Sequence, residues 1–257
     1  MAYPSSEKPI IALGSWLDTP AGGYVRAWEQ GRFDALTADI FGFNAVQIGL
    51  PQIAALNASR MPHRWLTNTQ FQEQAALPIT LLHDFAELPF ASQILDLVVL
   101  PHVLEFVREP HQILREVERV LIPEGQVIIS GFNPASLWGM RQVAGRISGA
   151  HFLPQDGEFI SLLRLKDWLK LLSMEVNRGH FGCYAPPCQT NQWLHRFAFM
   201  EKAGDRWWPY FGAVYIVQAI KRVKGMHLIG PVWNKKTAQA RNRVPVANKI
   251  SRKHNDG

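Results

Sequence analysis

Apolar and polar positions between residues 95 and 130 are arranged in a way that predicts a strand, a helix and a second strand. Leu95–Leu100 is a short apolar run interrupted by one aspartate, which is typical of a strand buried on both faces of a parallel sheet. Pro110 fits the first turn of the helix that follows. A proline and a glycine end this helix, and Gln126–Ser130 forms the next strand. The three elements make one βαβ unit, with the helix over the sheet. The apolar face of the helix comprises Ile113, Leu114, Val117, Val120 and Leu121.

Strand and helix patterns continue on both sides of this unit and predict an α/β protein. Three short strands are predicted before it, and helices alternate with two more strands after it. The early strands are Ala45–Gly49, Trp65–Thr67 and Ile79–Leu82, and the later elements are a helix at Leu137–Arg146, a helix after Ser161, a strand from Met174, an inserted aromatic helix at Asn191–Tyr210 and a last strand at Ala213–Ile220.

Residues 1–40 are predicted to form a helical lead-in to this domain. Thr19–Tyr24 (TPAGGY) reads as a turn, because it contains a proline and two glycines. The run that follows is amphipathic, and we expect it to pack over the edge or the mouth of the sheet. Its apolar positions include Val25, Trp28, Phe33 and Leu36.

Composition limits the class of protein without naming it. A chain of 257 residues is long enough for one large α/β domain, whereas two full domains would be crowded. A hydrophobic content of 47% with 19% charged residues excludes global disorder. The apolar runs are too short for a membrane helix, which needs roughly 18 uninterrupted apolar residues. We expect a domain over residues 41–226, with its aromatic insertion at about 190–210.

The net charge of +6 is concentrated at the end of the chain. Residues 227–257 carry seven lysines and arginines against one aspartate, whereas the rest of the chain is balanced. We expect this basic segment to be disordered and to make nonspecific contacts with nucleic acid through its cations. The sequence leaves the oligomeric state open.

The two cysteines, Cys183 and Cys188, indicate a reduced environment. The beginning of the chain lacks the charged and apolar regions of a secretory signal, so we expect a cytoplasmic protein. The CYAPPC spacing has no second pair of ligands, and we therefore predict no metal site. A structural role for both thiols is the favoured interpretation.

The stretch from His83 to Pro134, which begins HDFAELPF and contains LPHVLEFVREPHQILREVERVLIPEG, resembles the second half of a class I S-adenosylmethionine-dependent methyltransferase domain. Small-molecule and quinone C-methyltransferases typify the subgroup that it resembles. The resemblance extends more loosely over residues 40–220. It implies a Rossmann-like fold with a mostly parallel seven-stranded sheet and helices on both faces. It also implies S-adenosylmethionine as the cofactor.

The first cofactor position implied by the resemblance is the turn after the first strand. Methyltransferases of this family commonly have three alternating glycines there, preceded by an acidic residue. In this chain Gly49 keeps the first glycine, Gln47 stands in place of the acid, and Pro51 and Ile53 replace the other two glycines. We expect Gly49 and Gln47 to contact the methionine part of the cofactor.

The ribose and adenine positions follow the second and third strands. The family has an acidic residue after the second strand, where this chain has Asn68, a neutral substitute that would bind the ribose hydroxyls more weakly. Asp84 and Phe85 match the family's segment at the adenine, with the carboxylate accepting from the adenine amine and the next backbone amide contacting the ring. Asp84 is alternatively a turn cap.

Pro101 and His102 follow the fourth strand, at the carboxyl edge where open α/β sheets bind ligands. Pro101 is a candidate cofactor contact. His102 is a weak candidate for a general base, since its ordinary pKa lies near neutrality. It is alternatively a histidine that satisfies local hydrogen bonds. Methyl transfer needs alignment more than acid or base catalysis, and so no catalytic residue is firmly predicted.

Three functions are compatible with these residues. The favoured one is methyl transfer to a small-molecule or lipid-like acceptor, with the aromatic insertion either lining an apolar pocket or packing in the core. A second is an RNA-associated methyltransferase that uses the basic tail, although the Asn/Asp-Pro-Pro-aromatic motif of base methylation is absent. A third is a non-catalytic relative that keeps only the fold. A nicotinamide dehydrogenase is disfavoured because Gly-x-Gly-x-x-Gly is absent. The aromatic residues of the insertion are Trp193, Phe197, Phe199, Trp207 and Trp208.

Overall fold

A seven-stranded sheet in the order β3-β2-β1-β4-β5-β7-β6 organises the computed structural model. Five strands run parallel through β3, β2, β1, β4 and β5, and β7 lies antiparallel between β5 and β6. The strands are β1 (Asn44–Ile48), β2 (His63–Asn68), β3 (Leu81–Leu82), β4 (Leu95–Pro101), β5 (Leu121–Phe132), β6 (Met174–Gly182) and β7 (Val214–Lys221).

Seven α-helices and one 3-10 helix occur in the described residues. The helices are α1 (Lys8–Trp16), α2 (Pro20–Ala38), α3 (Pro110–Val120), α4 (Leu137–Ser148), α5 (Leu162–Leu171), α6 (Asn191–Arg196), α7 (Phe199–Trp207) and the 3-10 helix Pro209–Phe211. The structure describes residues 8–70, 78–85, 87–149, 152–154, 157–188 and 190–222. The predicted basic tail at 227–257 lies outside them. In the described part of the chain, no helix is both long enough and apolar enough to cross a membrane.

The centre of the sheet is buried as its apolar pattern predicts. Strand β4 lies between β1 and β5, and six of its seven residues are buried. Helix α3 begins at Pro110, and four of the five residues of its predicted apolar face are buried on it. The prediction for Leu121 is wrong, because the helix ends at Val120 and β5 begins at Leu121, before the proline and glycine that are predicted to end the helix. The mostly parallel seven-stranded sheet and the Rossmann-like fold class are therefore confirmed. The division of the chain into a lead-in, a domain and a tail stays a prediction.

The lead-in contains two helices, and the prediction of a turn at Thr19–Tyr24 is wrong. Thr19 caps the N-terminus of α2 by accepting a hydrogen bond from the backbone N–H of Gly22, and Pro20 is its first residue. Proline is favoured at that position because its missing N–H would be unsatisfied there. A Cβ atom on Gly22 would lie 2.1 Å from the carbonyl oxygen of Trp16, so this glycine serves the close approach of α1 to α2.

Helices α1 and α2 lie over the carboxyl edge of the sheet, and we call this pair the N-terminal cap. A Cβ atom on Gly14 of α1 would lie 2.5 Å from the side chain of Gln52, which follows β1. The ring of Trp16 packs edge-on against Phe132 at the end of β5, with centroids 5.8 Å apart. The cap therefore extends from β1 to β5 and covers the end of β4 between them.

The connection from β1 to β2 consists of turns. Residues 49–62, all of which the structure describes, contain no helix. Dinucleotide-binding folds usually place a helix N-terminus directly after the glycine turn, where its free N–H groups face an anion. The turn at Gly49 therefore has no such helix behind it. Side chains from β1 and α2 organise this loop instead.

Candidate functional site

The predicted cofactor residues follow four neighbouring strands at one edge of the sheet. Gly49 comes after β1, and its N–H donates to the carbonyl oxygen of Thr67 in β2 at 2.7 Å. Asn68 ends β2, and its carbonyl oxygen accepts from the N–H of His83, after β3, at 3.1 Å. Asp84 is the next residue. The structure thus brings these positions together in the order that a Rossmann-like ligand site requires.

The turn after β1 has left-handed backbone at two successive residues. Gly49 has a φ of 72° and Leu50 a φ of 45°. The first is favourable for glycine, whereas the second is strained for a leucine. The Leu50 side chain is fully buried and so holds this conformation through packing. The first of the family's three glycines is therefore placed where its conformational freedom is used.

Gln47 binds the loop with both ends of its buried amide. Its Nε2 donates to the carbonyl oxygens of Gly49 at 3.3 Å, Leu50 at 3.2 Å and Ile53 at 2.7 Å. Its Oε1 accepts from the N–H of Ala55 at 3.0 Å. In this structure the side chain orders the loop. Its contact with the methionine part of the cofactor stays a prediction.

A second glutamine secures the same loop from the N-terminal cap. Gln30 of α2 donates from Nε2 to the carbonyl oxygen of Ala54 at 2.9 Å, and its Oε1 accepts from the N–H of Ala54 at 3.0 Å. A neutral amide is suited to this task because it offers a donor and an acceptor together. The loop that would face a cofactor is therefore tied to α2.

Asn68 carries an unsatisfied acceptor at the position predicted for the ribose. The side chain is only 1% exposed, and its Nδ2 donates to the carbonyl oxygen of Gln70 at 2.9 Å. Its Oδ1 has no hydrogen-bond partner in the described structure. Buried polar atoms are nearly always paired, so an unpaired one indicates a place for a ligand or a water molecule.

The adenine candidates Asp84 and Phe85 differ in their exposure. Asp84 is exposed, and its backbone carbonyl accepts from the N–H of Glu87 at 3.1 Å, closing a turn. Phe85 is buried in the core. The geometry is compatible with a carboxylate that faces a ligand, and its role at the adenine stays a prediction.

The end of β4 holds a buried cluster of three titratable residues, which we call the Glu-His-Glu cluster: Glu29, His102 and Glu105. His102 Nδ1 lies 2.8 Å from Glu105 Oε2, and His102 Nε2 lies 3.0 Å from Glu29 Oε1. All three side chains are fully or almost fully buried. Glu105 also accepts from the backbone N–H of Phe132 at 2.6 Å through Oε1. Pro101, the preceding residue, is buried as well.

This arrangement holds the histidine in its charged form. Burial by itself lowers the pKa of His102, but the charge of Glu29 and the hydrogen bond that His102 donates to Glu105 outweigh it and raise the pKa to about 10. Burial raises the pKa of Glu105, and its hydrogen bond with His102 opposes that shift. A cation with both ring nitrogens against carboxylates is a poor general base. The alternative role for His102, satisfying local hydrogen bonds, agrees with this geometry, and its catalytic role stays an untested prediction.

Glu29 is the residue of this cluster that sequence reasoning missed. It lies on the apolar face of α2 between Val25 and Phe33, at four-residue spacing from each. A single glutamate within an apolar stripe could have indicated this cluster, because a carboxylate that is buried requires a polar or charged partner. The sequence does not reveal that the partner comes from β4.

The aromatic insertion does not pack in the core. Five of its large side chains between Trp193 and Tyr210 are well exposed, whereas Leu194 is buried. A cleft of about 570 Å³ separates α6 from the start of α2. Its walls include Thr19, Tyr24, Leu194 and Ala198. The exposed aromatic residues are Trp193, Phe199, Trp207, Trp208 and Tyr210.

The sequence of the parallel part of the sheet matches a known protein family. A family model described as a methyltransferase domain matches residues 44–129, which extend from β1 into β5. The chain belongs to the class I S-adenosylmethionine-dependent methyltransferase family. The chain is also similar to a single protein, YafS of Escherichia coli strain K12, which is described as an uncharacterised protein. The two are 32% identical over 168 residues, which cover 65% of this chain and 67% of YafS.

Solved structures show the same fold at low identity. One is a chain from the complex between the Haloferax volcanii Trm112 methyltransferase activator and a methyltransferase, with a TM-score of 0.57 and 14% identity. The match covers 86% of this chain and 100% of that chain. Another is a Thermotoga maritima S-adenosylmethionine-dependent methyltransferase, with a TM-score of 0.53 and 15% identity over 78% of this chain and 95% of its own.

Proposed function

We propose that this protein transfers a methyl group from S-adenosylmethionine to a small-molecule or lipid-like acceptor. The observation that carries the proposal is the unpaired Oδ1 of Asn68, a buried acceptor at the edge between Gly49 and Asp84. Membership in the methyltransferase family gives this atom a matching partner, since the cofactor's ribose offers two hydroxyl donors. The acceptors proposed at this edge, Asn68 Oδ1 and the Asp84 carboxylate, would match the donors at the ribose and adenine ends of the cofactor.

When it is bound, S-adenosylmethionine supplies a methyl group already activated on a sulfonium. The chain's own task is then to align the acceptor and to exclude water. Gly49 would hold the methionine end through its backbone, Asn68 the ribose and Asp84 the adenine amine. The N-terminal cap, which already covers the edge, would keep water from the reacting atoms.

The cleft beside α2 is our candidate for the acceptor site. Its volume of about 570 Å³ lies in the range of small-molecule pockets, and Leu194, Ala198 and the Tyr24 ring offer it an apolar wall. The Tyr24 hydroxyl is engaged with Glu201 of α7, which joins α2 to the insertion. This supports entry of the acceptor between the N-terminal cap and the aromatic insertion.

A non-catalytic role is the second candidate, and the turn after β1 is the observation that favours it. Both ends of the Gln47 amide are used by the loop, and Ile53 is buried where the family has its third glycine. Proline at position 51 cannot donate a hydrogen bond to a ligand. A protein that had lost the cofactor would keep this edge closed.

Isothermal titration with S-adenosylmethionine and S-adenosylhomocysteine distinguishes the two candidates. We expect binding in the micromolar range by the wild-type protein. Asn68→Ala and Asp84→Ala should each weaken it several-fold up to about tenfold, the effect of one hydrogen bond. Glu87→Ala, an exposed change in the same turn as Asp84, is the matched control and should bind normally. Absence of binding at millimolar ligand would reject methyl transfer in favour of the non-catalytic role.

A further inference from the structure

The insertion between β6 and β7 presents an outward surface that the proposed methyl transfer does not use. We call it the aromatic face. Its large rings are 40–75% exposed, whereas large apolar side chains usually lie inside a protein. Contiguous exposed apolar surface of this kind marks a binding site. The aromatic face comprises Trp193, Phe199, Trp207, Trp208, Tyr210 and Phe211.

Tyr184 supports α7 and the 3-10 helix, and Phe197 supports Trp193. A Cβ atom on Gly204 of α7 would lie 2.2 Å from the Tyr184 ring, so α7 rests directly on this tyrosine. The Tyr184 hydroxyl donates to the carbonyl oxygen of Pro209 in the 3-10 helix at 2.8 Å. Trp193 stacks on Phe197 with centroids 5.9 Å apart. The rings are thus fixed to the body of the protein.

Charge on α7 is segregated by side. The acidic Glu201 faces inward, where it accepts from the Tyr184 N–H at 2.9 Å. Lys202 and Arg206 are exposed, together with Phe199 and Trp207. On α6, the exposed Arg196 lies over the Trp193 ring at 5.4 Å. Among the exposed side chains described on these two helices, three cations therefore stand against one anion, Asp205.

Helix α4 carries a second set of exposed apolar side chains. Leu137, Met140 and Val143 follow at three-residue spacing and are 53–64% exposed. The Nδ2 of Asn133, just before α4, donates to the carbonyl oxygen of Tyr210 at 2.8 Å. This hydrogen bond places the beginning of α4 beside the 3-10 helix. The aromatic face therefore adjoins a second exposed apolar stripe.

From these contacts we infer that the aromatic face docks this protein on the surface of an anionic lipid membrane. Tryptophan and tyrosine suit the boundary between hydrocarbon and headgroups, because each has an apolar ring and a polar atom. Lysine and arginine beside them reach the lipid phosphates while their stems lie on apolar surface. Trp207, Lys202 and Arg206 lie together on α7, and the exposed aliphatic stripe on α4 would add apolar area to the contact.

Two other partners fit these observations less well. In a symmetric dimer the same patch would face itself, and the three cations of one copy would meet those of the other. Single-stranded RNA would stack on the rings, but the aliphatic stripe on α4 offers neither stacking nor phosphate binding. A lipid surface uses the rings, the cations and the aliphatic stripe together. The inference does not depend on methyl transfer.

Sedimentation with vesicles tests the inference, without any cofactor present. Full-length protein is mixed with vesicles of phosphatidylcholine alone, or of phosphatidylcholine with phosphatidylglycerol. We expect binding to the anionic vesicles, with part of it retained at high salt, where contacts from the basic tail are screened. The Trp207→Ser/Phe211→Ser variant should bind about tenfold or more weakly under these conditions, because it loses exposed apolar area.

The matched control is Phe41→Ser/Phe43→Ser, which removes two rings that are 77% and 71% exposed just before β1, at the opposite edge of the sheet. This variant should bind the anionic vesicles like the wild type. Lys202→Glu/Arg206→Glu should weaken binding to the anionic vesicles more than it weakens binding to vesicles of phosphatidylcholine alone.

Three results would overturn the inference. One is equal vesicle binding by the wild type and Trp207→Ser/Phe211→Ser, or no binding by either. Another is light scattering that finds a wild-type dimer and a monomeric variant, which would assign the face to self-association. The third is loss of single-stranded RNA retention in the variant with vesicle binding intact.

Discussion

The Glu-His-Glu cluster makes a strong prediction about stability. In the variant His102→Gln, two buried carboxylates lose the cation that lies 2.8 Å from one and 3.0 Å from the other. Removing one partner of a buried ion pair typically costs about 3–5 kcal/mol, because the remaining charge stays desolvated. The variant should therefore lose about that much of its free energy of unfolding near pH 6.

The pH dependence gives an independent check on the same cluster. The pKa of His102 is about 10 in the folded protein, against an ordinary value of 6.5. A raised histidine pKa stabilises the folded state fully below pH 6.5, and this contribution is lost as the pH rises from 6.5 to 10. A shift of this size corresponds to several kcal/mol. The wild type should lose stability over this range, and His102→Gln should lack that part of the loss.

Urea unfolding followed by tryptophan fluorescence measures both effects. The matched control is Glu175→Gln, which removes one carboxylate from the exposed ion pair with Arg222. Exposed pairs of this kind contribute little, so the control should unfold like the wild type. A loss below about 1 kcal/mol in His102→Gln, or an alkaline decline that the variant shares with the wild type, would refute the reasoning.

Two further predictions concern the loop after β1 and the glycines of α2. Gln47→Leu removes four hydrogen bonds from the buried loop and should lower the free energy of unfolding, measured in urea, by about 2–4 kcal/mol. A variant as stable as the wild type would show that Gln47 does not order the loop. Gly31→Ala should raise thermal stability by about 0.5–1 kcal/mol, since a Cβ atom there meets nothing within 4 Å. Gly22→Ala in the same helix should lower it, because the new Cβ atom would lie 2.1 Å from a backbone oxygen; equal melting temperatures for these two variants would contradict the packing of α1 on α2.

The sheet was predictable because its information is local. Strands β4 and β5 carry short apolar runs and helix α3 carries an apolar face at helical spacing, and these local patterns predict each element and its buried residues. The candidate cofactor residues were identified by the family resemblance, which places them after the strands. Parallel strands then bring Gly49, Asn68 and Asp84 to one edge.

Long-range partners account for what the sequence could not predict. Thr19–Tyr24 has the composition of a turn, and only the approach of α1 explains a glycine inside a helix there. The interaction of Glu29 with β4 depends on the path of the N-terminal cap across the sheet. The exposure of Trp207 likewise depends on which side of α7 meets Tyr184, a choice that an aromatic-rich segment leaves open.

The N-terminal cap also has a consequence for the order of folding during synthesis. Helix α2 leaves the ribosome early, yet its Tyr24 hydroxyl pairs with Glu201, 177 residues later in the chain. A Cβ atom on Gly182 would lie 2.0 Å from Trp28, so α2 packs closely against the end of β6. This contact cannot form until β6 has been made. Until those residues emerge, the side of α2 that carries Tyr24 and Trp28 lacks these partners. Helix α2 is therefore made well before the residues that complete its packing, and chaperones would meet it while it is exposed.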